Sequence, residues 1–349
     1  MLSLLLLLLR LSPQVVPRGP VGTQGWVLIG PAAPGGAAVP IGSIAYDRVT
    51  RVLYAGSTLF PAISRVFERR QAGGEWEEVR SPDLGGLFPY VKVTADPTAP
   101  NVVYAGGGTC MVHPPGCGGR LARSEDAGVS WTALLEQVTP VLAIDPFDNG
   151  LLMAVVDKAV PNSMFPEVGT IVDTSIRSGD GGLTWTEIPV PPGVFAFDPS
   201  RPGTVFAATE LDGAWKSTDS GANWSQVNSG LVNLGTFGLS IDSVGVIHLA
   251  TVSGVFVSSD GGEHWEPTGL SSMATSLVAD PTSPGAAYAG GQSGVFRIDE
   301  RGIPSPIGSG VSNVSDLAID TEGLRLWAAT LDGVFEYDIR KAPGRSAQR

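Results

Sequence analysis

The stretch that decides the fold is "RSGDGGLTW", from Arg177 to Trp185. Its aspartate stands between glycines and small hydroxyl residues, a composition typical of a tight turn. Three further copies follow the same pattern: "RSEDAGVSW" at 123–131, "KSTDSGANW" at 216–224 and "VSSDGGEHW" at 257–265. Because a catalytic acid is needed once and a turn is needed in every repeat, we interpret these aspartates as structural.

A second motif marks seven repeats. Each copy is a short apolar run that ends at an aspartate and is followed by a turn and a second apolar run, as in "ADPTAPNVVYAG". A repeat period of about 40 to 50 residues, built from short β-runs, is typical of propeller blades. The seven aspartates are Asp47, Asp96, Asp145, Asp198, Asp242, Asp280 and Asp320, spaced 49, 49, 53, 44, 38 and 40 residues apart.

The repeats predict an all-β chain: a seven-bladed β-propeller of four-stranded antiparallel blades over residues 25–338. The last repeat, "LWAATLDGVFEYD", supplies three strands, and "GWVLIGP" at 25–31 precedes the first repeat. We therefore expect the strand Trp26–Ile29 to complete the last blade and close the ring without an open sheet edge. Residues 1–24 are predicted to be a signal-like or disordered segment, and residues 339–349 a disordered basic tail.

Composition agrees with many short strands and excludes some partners. The chain has 46 Gly and 28 Pro, and 16% of its residues are charged. Net charge is −12, and the span from Trp26 to Asp338 holds 16 Lys and Arg against 34 Asp and Glu, which makes it −18. Such a body repels nucleic acid and anionic membranes, so we expect neither as a partner.

The turn motif carries a family resemblance. The pattern S-x-D-x-G-x-x-W resembles the Asp-box, or BNR repeat, of sialidases, sortilin-type receptors, xyloglucan-active endoglucanases and propeller-type photosystem II assembly factors. The "D-P-x-x-P-x-x-V-Y-A-G" segment is closer to the last three groups than to sialidases. The resemblance covers residues 25–338 and implies the propeller fold, with little information about activity. The four well-matched boxes contribute Asp126, Asp180, Asp219 and Asp260, with Trp131, Trp185, Trp224 and Trp265 closing them.

Location and redox state are predicted from two features. Leu4–Leu9 resembles the apolar core of a signal peptide and is too short to span a bilayer, so a secreted or cell-envelope protein is expected; a misassigned start is the alternative. Cys110 and Cys117 bracket six residues, which favours a local disulfide that agrees with export; two free thiols are the alternative. We expect no cofactor, no metal site and a monomer.

Hairpin length points to a binding face. The connection between second and third strands is minimal in blades 4–7 and long in blades 1, 2 and 3, at 56–64, 106–119 and 157–173. Insertions on one face of a repeat protein usually form its binding face, here partly closed by the loop 80–90; decorative loops are the alternative. The ligand-binding candidates are Phe60, Phe88, Tyr90, His113 and Phe165, with Met111, Met164, Glu136, Lys158 and Asp173 in the same wall.

Two functions remain open at the level of sequence, and a third possibility is a lone propeller cut from a larger multidomain architecture. The first is a module that binds a glycan or protein ligand on the long-hairpin face. The second is a glycoside hydrolase with a carboxylate pair on that face, for which Asp157, Glu167 and Asp83 are the candidates. The resemblance argues against the second, because xyloglucan-active enzymes place their cleft between two propellers and the repeats here form one ring. Sialidases carry an arginine triad on a usually six-bladed ring, and no corresponding "R-I-P" element precedes the first box.

Overall fold

The computed structural model describes residues 25–31, 38–58, 65–70, 74–79, 90–112, 115–161, 169–320, 322 and 324–341. These residues form seven sheets, each of four antiparallel strands. The predicted seven-bladed all-β propeller is confirmed. Among the described residues, the single helical element is a 3₁₀ turn at Ile339–Lys341.

The strands follow the chain blade by blade, after an initial strand β1 (Val27–Gly30). Blade 1 contains β2 (Ile41–Asp47), β3 (Val52–Ser57), β4 (Val66–Arg69) and β5 (Glu77–Glu78). Blade 2 contains β6 (Tyr90–Ala95), β7 (Val103–Val112), β8 (Pro115–Ser124) and β9 (Thr132–Leu135). Blade 3 contains β10 (Val138–Ile144), β11 (Leu152–Pro161), β12 (Gly169–Ser178) and β13 (Thr186–Glu187).

The remaining blades are more regular. Blade 4 contains β14 (Gly193–Phe197), β15 (Val205–Thr209), β16 (Gly213–Ser217) and β17 (Ser225–Gln226). Blade 5 contains β18 (Thr236–Ile241), β19 (Ile247–Thr251), β20 (Gly254–Ser258) and β21 (Glu266–Pro267). Blade 6 contains β22 (Ser276–Ala279), β23 (Ala287–Gly291), β24 (Gly294–Ile298) and β25 (Pro304–Pro306). Blade 7 contains β26 (Asp316–Ile319), β27 (Arg325–Thr330) and β28 (Gly333–Asp338), with β1.

The first strands of the blades surround the axis of the ring. Each contacts the first strand of the next blade, and β26 of blade 7 returns to contact β2 of blade 1. Since the strands within a blade alternate in direction, the turns fall on two opposite faces. We call the face with the second-to-third-strand hairpins and the connections between blades the hairpin face. The face with the S-x-D-x-G-x-x-W turns is the box face.

Both ends of the described chain meet in blade 7. Strand β1 pairs antiparallel with β28, with Val27 opposite Glu336 and Leu28 opposite Phe335. The Trp26 indole N–H donates to the carbonyl of Ile307 in blade 6, at 2.8 Å. Trp265 makes the same contact between blades 5 and 4, where its indole donates to the Val227 carbonyl at 2.6 Å. Trp26 thus makes the same kind of inter-blade contact as Trp265, whereas the indoles of Trp131, Trp185 and Trp224 donate to glycine carbonyls of their own boxes.

One buried position recurs in the second strand of all seven blades. Strand register places a large side chain there each time, and each is buried against a neighbouring blade. Gly221 and Gly262 of the boxes lie against two of these side chains: a Cβ on Gly221 would meet Met153, and one on Gly262 would meet Phe206. The box glycines therefore make room for the preceding blade. The seven residues are Tyr54, Tyr104, Met153, Phe206, His248, Tyr288 and Trp327.

The seven repeat aspartates organise the turns between first and second strands. Asp242 accepts the N–H groups of Val244 and Val246, at 3.0 and 2.8 Å, within its own turn. Its second oxygen accepts the N–H of Gly285 in blade 6. Asp47 does the same in blade 1 and accepts the Asn101 N–H of blade 2 at 3.0 Å. These buried carboxylates hold the turns of their own blades, and those of Asp47 and Asp242 also join the turn to the next blade.

The ordered chain continues past Asp338, where the tail was expected to begin. Ile339–Lys341 forms the 3₁₀ turn, Ile339 is buried, and its N–H donates to the Leu324 carbonyl at 2.9 Å. Residues 1–24 and 342–349 lie outside the described part of the chain.

Candidate functional site

The box aspartates are fully engaged by their own turns. In blade 3 the Ser178 hydroxyl donates to Asp180 at 2.8 Å and accepts the Gly182 N–H at 2.9 Å. The Asp180 carboxylate also accepts the N–H and the hydroxyl of Thr184, at 2.9 and 2.6 Å. The same pattern holds around Asp126 and Asp219, and in part around Asp260. This geometry supports a structural role for these aspartates.

Those hydrogen bonds also set the charge of the box aspartates. Donors from the residue four places on and from the preceding serine lower the pKa of Asp126, Asp180 and Asp219 to about 2. The pKa of Asp260 is lowered as well, by the His264 N–H and Ser258. A carboxylate held ionised by several donors is a poor proton donor near neutrality. The boxes therefore do not supply a general acid.

The hairpin strands of blades 2 and 3 are longer than those of blades 4 to 7. Strands β7, β8, β11 and β12 have 10 residues each, whereas β15 and β16 of blade 4 have 5. Five extra residues add about 16 Å at about 3.3 Å per residue. Strand β12 contacts both β7 and β8, so the two hairpins lie side by side.

Two carboxylates face each other in the blade 3 hairpin. Register places Asp157 of β11 directly opposite Asp173 of β12. Partial burial, and then the neighbouring charge of Asp173, raises the pKa of Asp157 to about 7. Burial also raises the pKa of Asp173, and Glu210 in blade 4 adds to the effect. An acid with such a pKa is protonated in part at neutral pH, and that property is required of a general acid.

The other sequence candidates divide into described and undescribed residues. Glu136 is engaged by Arg120, whose Nε lies 2.9 and 3.0 Å from its two carboxylate oxygens. Tyr90 begins β6, Met111 lies in β7 and Lys158 lies in β11. Phe60, Asp83, Phe88, His113, Met164, Phe165 and Glu167 lie outside the described residues.

The cysteines lie opposite each other in blade 2. Cys110 of β7 pairs in register with Cys117 of β8. Directly opposed residues in an antiparallel pair have Cα atoms about 4.5 to 5.5 Å apart, within the range that a disulfide spans. The local disulfide stays a prediction, and the register is compatible with it.

One ion pair at the axis was not found from the sequence. Lys92 of β6 contacts Asp316 of β26 at 2.8 Å, across blade 1. Asp316 also accepts the Ile44 N–H at 3.2 Å and the Ser276 hydroxyl at 3.3 Å. The pair thereby joins the first strands of blades 1, 2, 6 and 7. The available signal was a lysine inside the apolar inner strand "YVKVTA".

The described residues lack two other kinds of site. No group of three or more His, Cys, Asp or Glu side chains there is arranged to hold a metal ion. That part of the chain also has no helix that is long and apolar enough to cross a membrane.

Comparison with known proteins finds similarity to a protein named as a xyloglucanase and to two GH74 enzymes. It is 31% identical to the xyloglucanase of Hypocrea jecorina over 37% of this chain and 19% of that protein. An ancestral GH74 enzyme matches with a TM-score of 0.64 and 15% identity, covering 90% of this chain and 46% of the enzyme. The GH74 enzyme of Niastella koreensis matches with a TM-score of 0.55 and 16% identity, covering 83% and 50%. No family model matches the sequence.

A propeller of another kind matches over its whole length. Sqt1 of Saccharomyces cerevisiae gives a TM-score of 0.57 at 10% identity and covers 93% of this chain and 100% of Sqt1. The solved structures share the fold with this chain, and their sequence identities are too low to indicate a shared function. The chain spans about half the length of the two GH74 enzymes and a fifth of the xyloglucanase. Together these findings support the propeller fold of this chain.

Proposed function

We propose that the protein is a secreted or cell-envelope propeller that binds a polysaccharide on its hairpin face, beside the extended hairpins of blades 2 and 3. The observation that carries the proposal is the adjacency of those hairpins, both of them ten residues per strand. A pair of neighbouring extensions makes a wall beside the axis, and a concave site of this kind suits an extended ligand.

The choice of a glycan rests on two supports. The first is the 31% identity to a protein named as a xyloglucanase. The second is the sparse positive charge, since a body of net −18 favours neutral ligands over anionic ones. A β-glucan chain with neutral branches, such as xyloglucan, fits both. The leucine run at 4–9 and the opposed cysteines support export in the same proposal.

A second candidate function is glycoside hydrolysis by the same face. The observation that favours it is the opposed pair Asp157 and Asp173, with the pKa of Asp157 raised to about 7. In that reaction the protonated Asp157 would donate to the glycosidic oxygen, and an ionised carboxylate would act as base or nucleophile.

One experiment tests both candidates. Purified protein is incubated with xyloglucan, cellulose and a sialylated glycan, and retention and new reducing ends are measured together. We expect retention on xyloglucan without cleavage. Loss of retention in Asp157→Asn and Asp173→Asn, but not in the box-face control Glu263→Gln, would locate the ligand above blade 3.

The outcomes separate the candidates. New reducing ends that disappear in Asp157→Asn while retention persists would establish the hydrolase instead. Neither retention nor cleavage on any of the glycans would overturn both glycan proposals.

A further inference from the structure

One position in the third strand holds a cationic residue in blades 2, 3, 4 and 6. Register places it directly opposite the large buried residue of the second strand, where the two side chains share one face of the sheet. In blade 3, the Arg177 guanidinium donates to the Ser220 carbonyl in the box of blade 4, at 2.7 Å. In blade 4, Lys216 contacts Glu263 in the box of blade 5, at 3.3 Å. The four residues are Arg123, Arg177, Lys216 and Arg297.

Blade 6 shows what this cation does beside a tyrosine. The Tyr288 hydroxyl donates to Asp280, the repeat aspartate of the same blade, at 3.2 Å. Arg297 Nε contacts the same oxygen of Asp280 at 3.3 Å. Tyr288 and Asp280 are both buried, so the guanidinium supplies positive charge to a carboxylate that has left water.

Blade 1 has the same tyrosine and aspartate, with a glutamate at the position of the arginine. Glu68 lies directly opposite Tyr54, as Arg297 lies opposite Tyr288. Tyr54 is fully buried, Asp47 is 1% exposed and Glu68 is 5% exposed. Burial raises the pKa of Tyr54, and the negative charges of Glu68 and then Asp47 add to the effect, so the three groups are near one another. Two carboxylates therefore lie beside a buried phenol.

Two oxygens of this blade 1 cluster have no hydrogen-bond partner within the described part of the chain. They are the Tyr54 hydroxyl and Glu68 Oε2. The other glutamate oxygen accepts Arg70 Nε at 2.8 Å, and half of the Arg70 side chain is exposed. Arg70 is one cation beside two carboxylates. Buried polar atoms in native proteins are nearly always paired, so these two oxygens indicate a further partner.

Blade 7 provides the comparison, since it also has a glutamate at this position. Glu336 lies opposite Trp327, and both of its oxygens are engaged. Arg325 donates to one oxygen at 2.7 Å, while Arg69 and the Trp327 indole donate to the other at 3.1 and 3.0 Å. A glutamate here is thus accommodated when cationic donors reach both oxygens, and Glu68 has such a donor on one.

We propose that the oxygens of Asp47, Tyr54 and Glu68 bind a hard metal cation, Ca²⁺ or an alkali ion, at the place that the Arg297 guanidinium occupies in blade 6. Such cations take carboxylate and neutral oxygen donors, and water completes their coordination. The described residues lack groups of three or more His, Cys, Asp or Glu side chains that could hold a metal, and this site differs because one of its three ligands is a phenol. With two acidic ligands, its dissociation constant should be on the order of 10⁻³ M. The site is independent of the glycan site proposed beside the hairpins of blades 2 and 3.

The test uses the full chain and defined salts. Protein dialysed against EDTA in choline buffer receives the chloride of Ca²⁺, Mg²⁺, Na⁺ or K⁺, each compared with choline chloride at equal ionic strength. A cation that binds the folded chain alone raises the melting temperature, and the rise increases with its concentration. We expect this rise with Ca²⁺, and isothermal titration calorimetry then gives the affinity. A rise with Na⁺ or K⁺ alone would support the proposal and identify the cation as an alkali ion.

Variants locate the cation. Glu68→Gln and Tyr54→Phe each remove one ligand at nearly constant volume and should weaken binding at least about tenfold. The matched control Glu336→Gln removes the carboxylate at the equivalent position of blade 7 and should bind as the unmodified chain does. Glu68→Arg introduces the residue found at this position in blades 2, 3 and 6, and its melting temperature should no longer depend on the added cation.

Two results would overturn the proposal. The first is a melting temperature that none of the four salts raises more than choline chloride does, because water would then satisfy the two buried oxygens. The second is an equal loss of response in Glu68→Gln and Glu336→Gln, because general attraction of cations to an acidic body would explain it. If Glu68→Gln fails to fold, Tyr54→Phe decides, since it keeps the buried ring and both carboxylates.

Discussion

Blades 3 and 4 have the same box turn and very different hairpins. Ser178 with Asp180 and Ser217 with Asp219 make the same hydrogen bonds to within about 0.1 Å. On the opposite face, the strands of the blade 3 hairpin are twice as long as those of blade 4 and carry an opposed acidic pair. The comparison shows that the ring is stabilised on the box face and between blades, while its chemical variety is on the hairpin face.

The largest effect is expected from the position shared by all second strands. Phe206→Ala removes a fully buried ring that packs against the blade 5 box. Loss of a buried phenylalanine costs about 3–5 kcal/mol, because a cavity remains where the ring had been. The free energy of unfolding from urea titration measures it. Leu211→Ala, in the hairpin of the same blade, is the control and should change stability by less than about 0.5 kcal/mol.

A smaller effect on stability, which depends on pH, is expected at the equivalent position of blade 5. That position holds His248, whereas the other blades hold an aromatic or aliphatic side chain there. Burial lowers the pKa of His248 from 6.5 to about 4, against the opposing charge of Asp242. Between these values the unfolded chain binds more protons, so stability falls as pH falls from 6.5 towards 4, by about 3 kcal/mol in all.

His248→Phe tests this dependence, since blade 4 already holds phenylalanine at the equivalent position. The variant should keep or exceed the stability of the unmodified chain at pH 7, because the buried imidazole is desolvated at this position and a phenylalanine ring has no polar atom to desolvate. Its stability should also fall less between pH 6.5 and 4. His264→Phe, on an exposed box residue, should retain the original slope, and an unchanged slope in His248→Phe would contradict the assignment.

Because the boxes of blades 3 and 4 make the same hydrogen bonds, we expect equal losses of stability when each loses its serine hydroxyl. Ser178→Ala and Ser217→Ala each leave a buried glycine N–H without its acceptor, which costs about 1–3 kcal/mol. Denaturant midpoints of the two variants should agree. Ser225→Ala, which changes an exposed hydroxyl of blade 4, should stay within about 0.5 kcal/mol. If the midpoints of the two box variants differed by more than the fitting error, the two boxes would not be energetically equivalent.

The remaining expected effects on stability depend on pH and have opposite signs on the two faces. The pKa of Asp180 is lowered from 3.8 to about 2, so its contribution is present above pH 3.8 and is lost as pH falls towards 2. The pKa of Asp157 is raised to about 7, so its contribution is present below pH 3.8 and is lost as pH rises through 7.

Substitution by asparagine should therefore flatten different ends of the stability profile. Asp180→Asn should reduce the loss of stability between pH 4 and 2. Asp157→Asn should raise stability at pH 8 relative to pH 4. Melting temperatures across both ranges test this, and a profile in which the two variants change the same end would show that the assignments are wrong.

The fold was predictable because its signals repeat. Seven aspartates and four boxes fixed the number of blades, and the tight turns that they form depend on local residues alone. The site was less predictable, since it depends on register. Asp157 and Asp173 were both recognised as wall residues, but their opposition follows from a hairpin centred near residue 165. The Lys92–Asp316 pair joins strands 224 residues apart, a distance over which no local pattern operates.

Trp26 and β1 also have a consequence for how the chain is made. The bond from Trp26 to Ile307 spans 281 residues. During synthesis, six blades can assemble in order as each leaves the ribosome, but the strand that completes the seventh is translated before all of them. That strand must wait, with its backbone groups unpaired, until β28 has been translated. Ring closure is therefore the last event of folding, and the interval before it is the period in which the nascent protein is most exposed to mispairing.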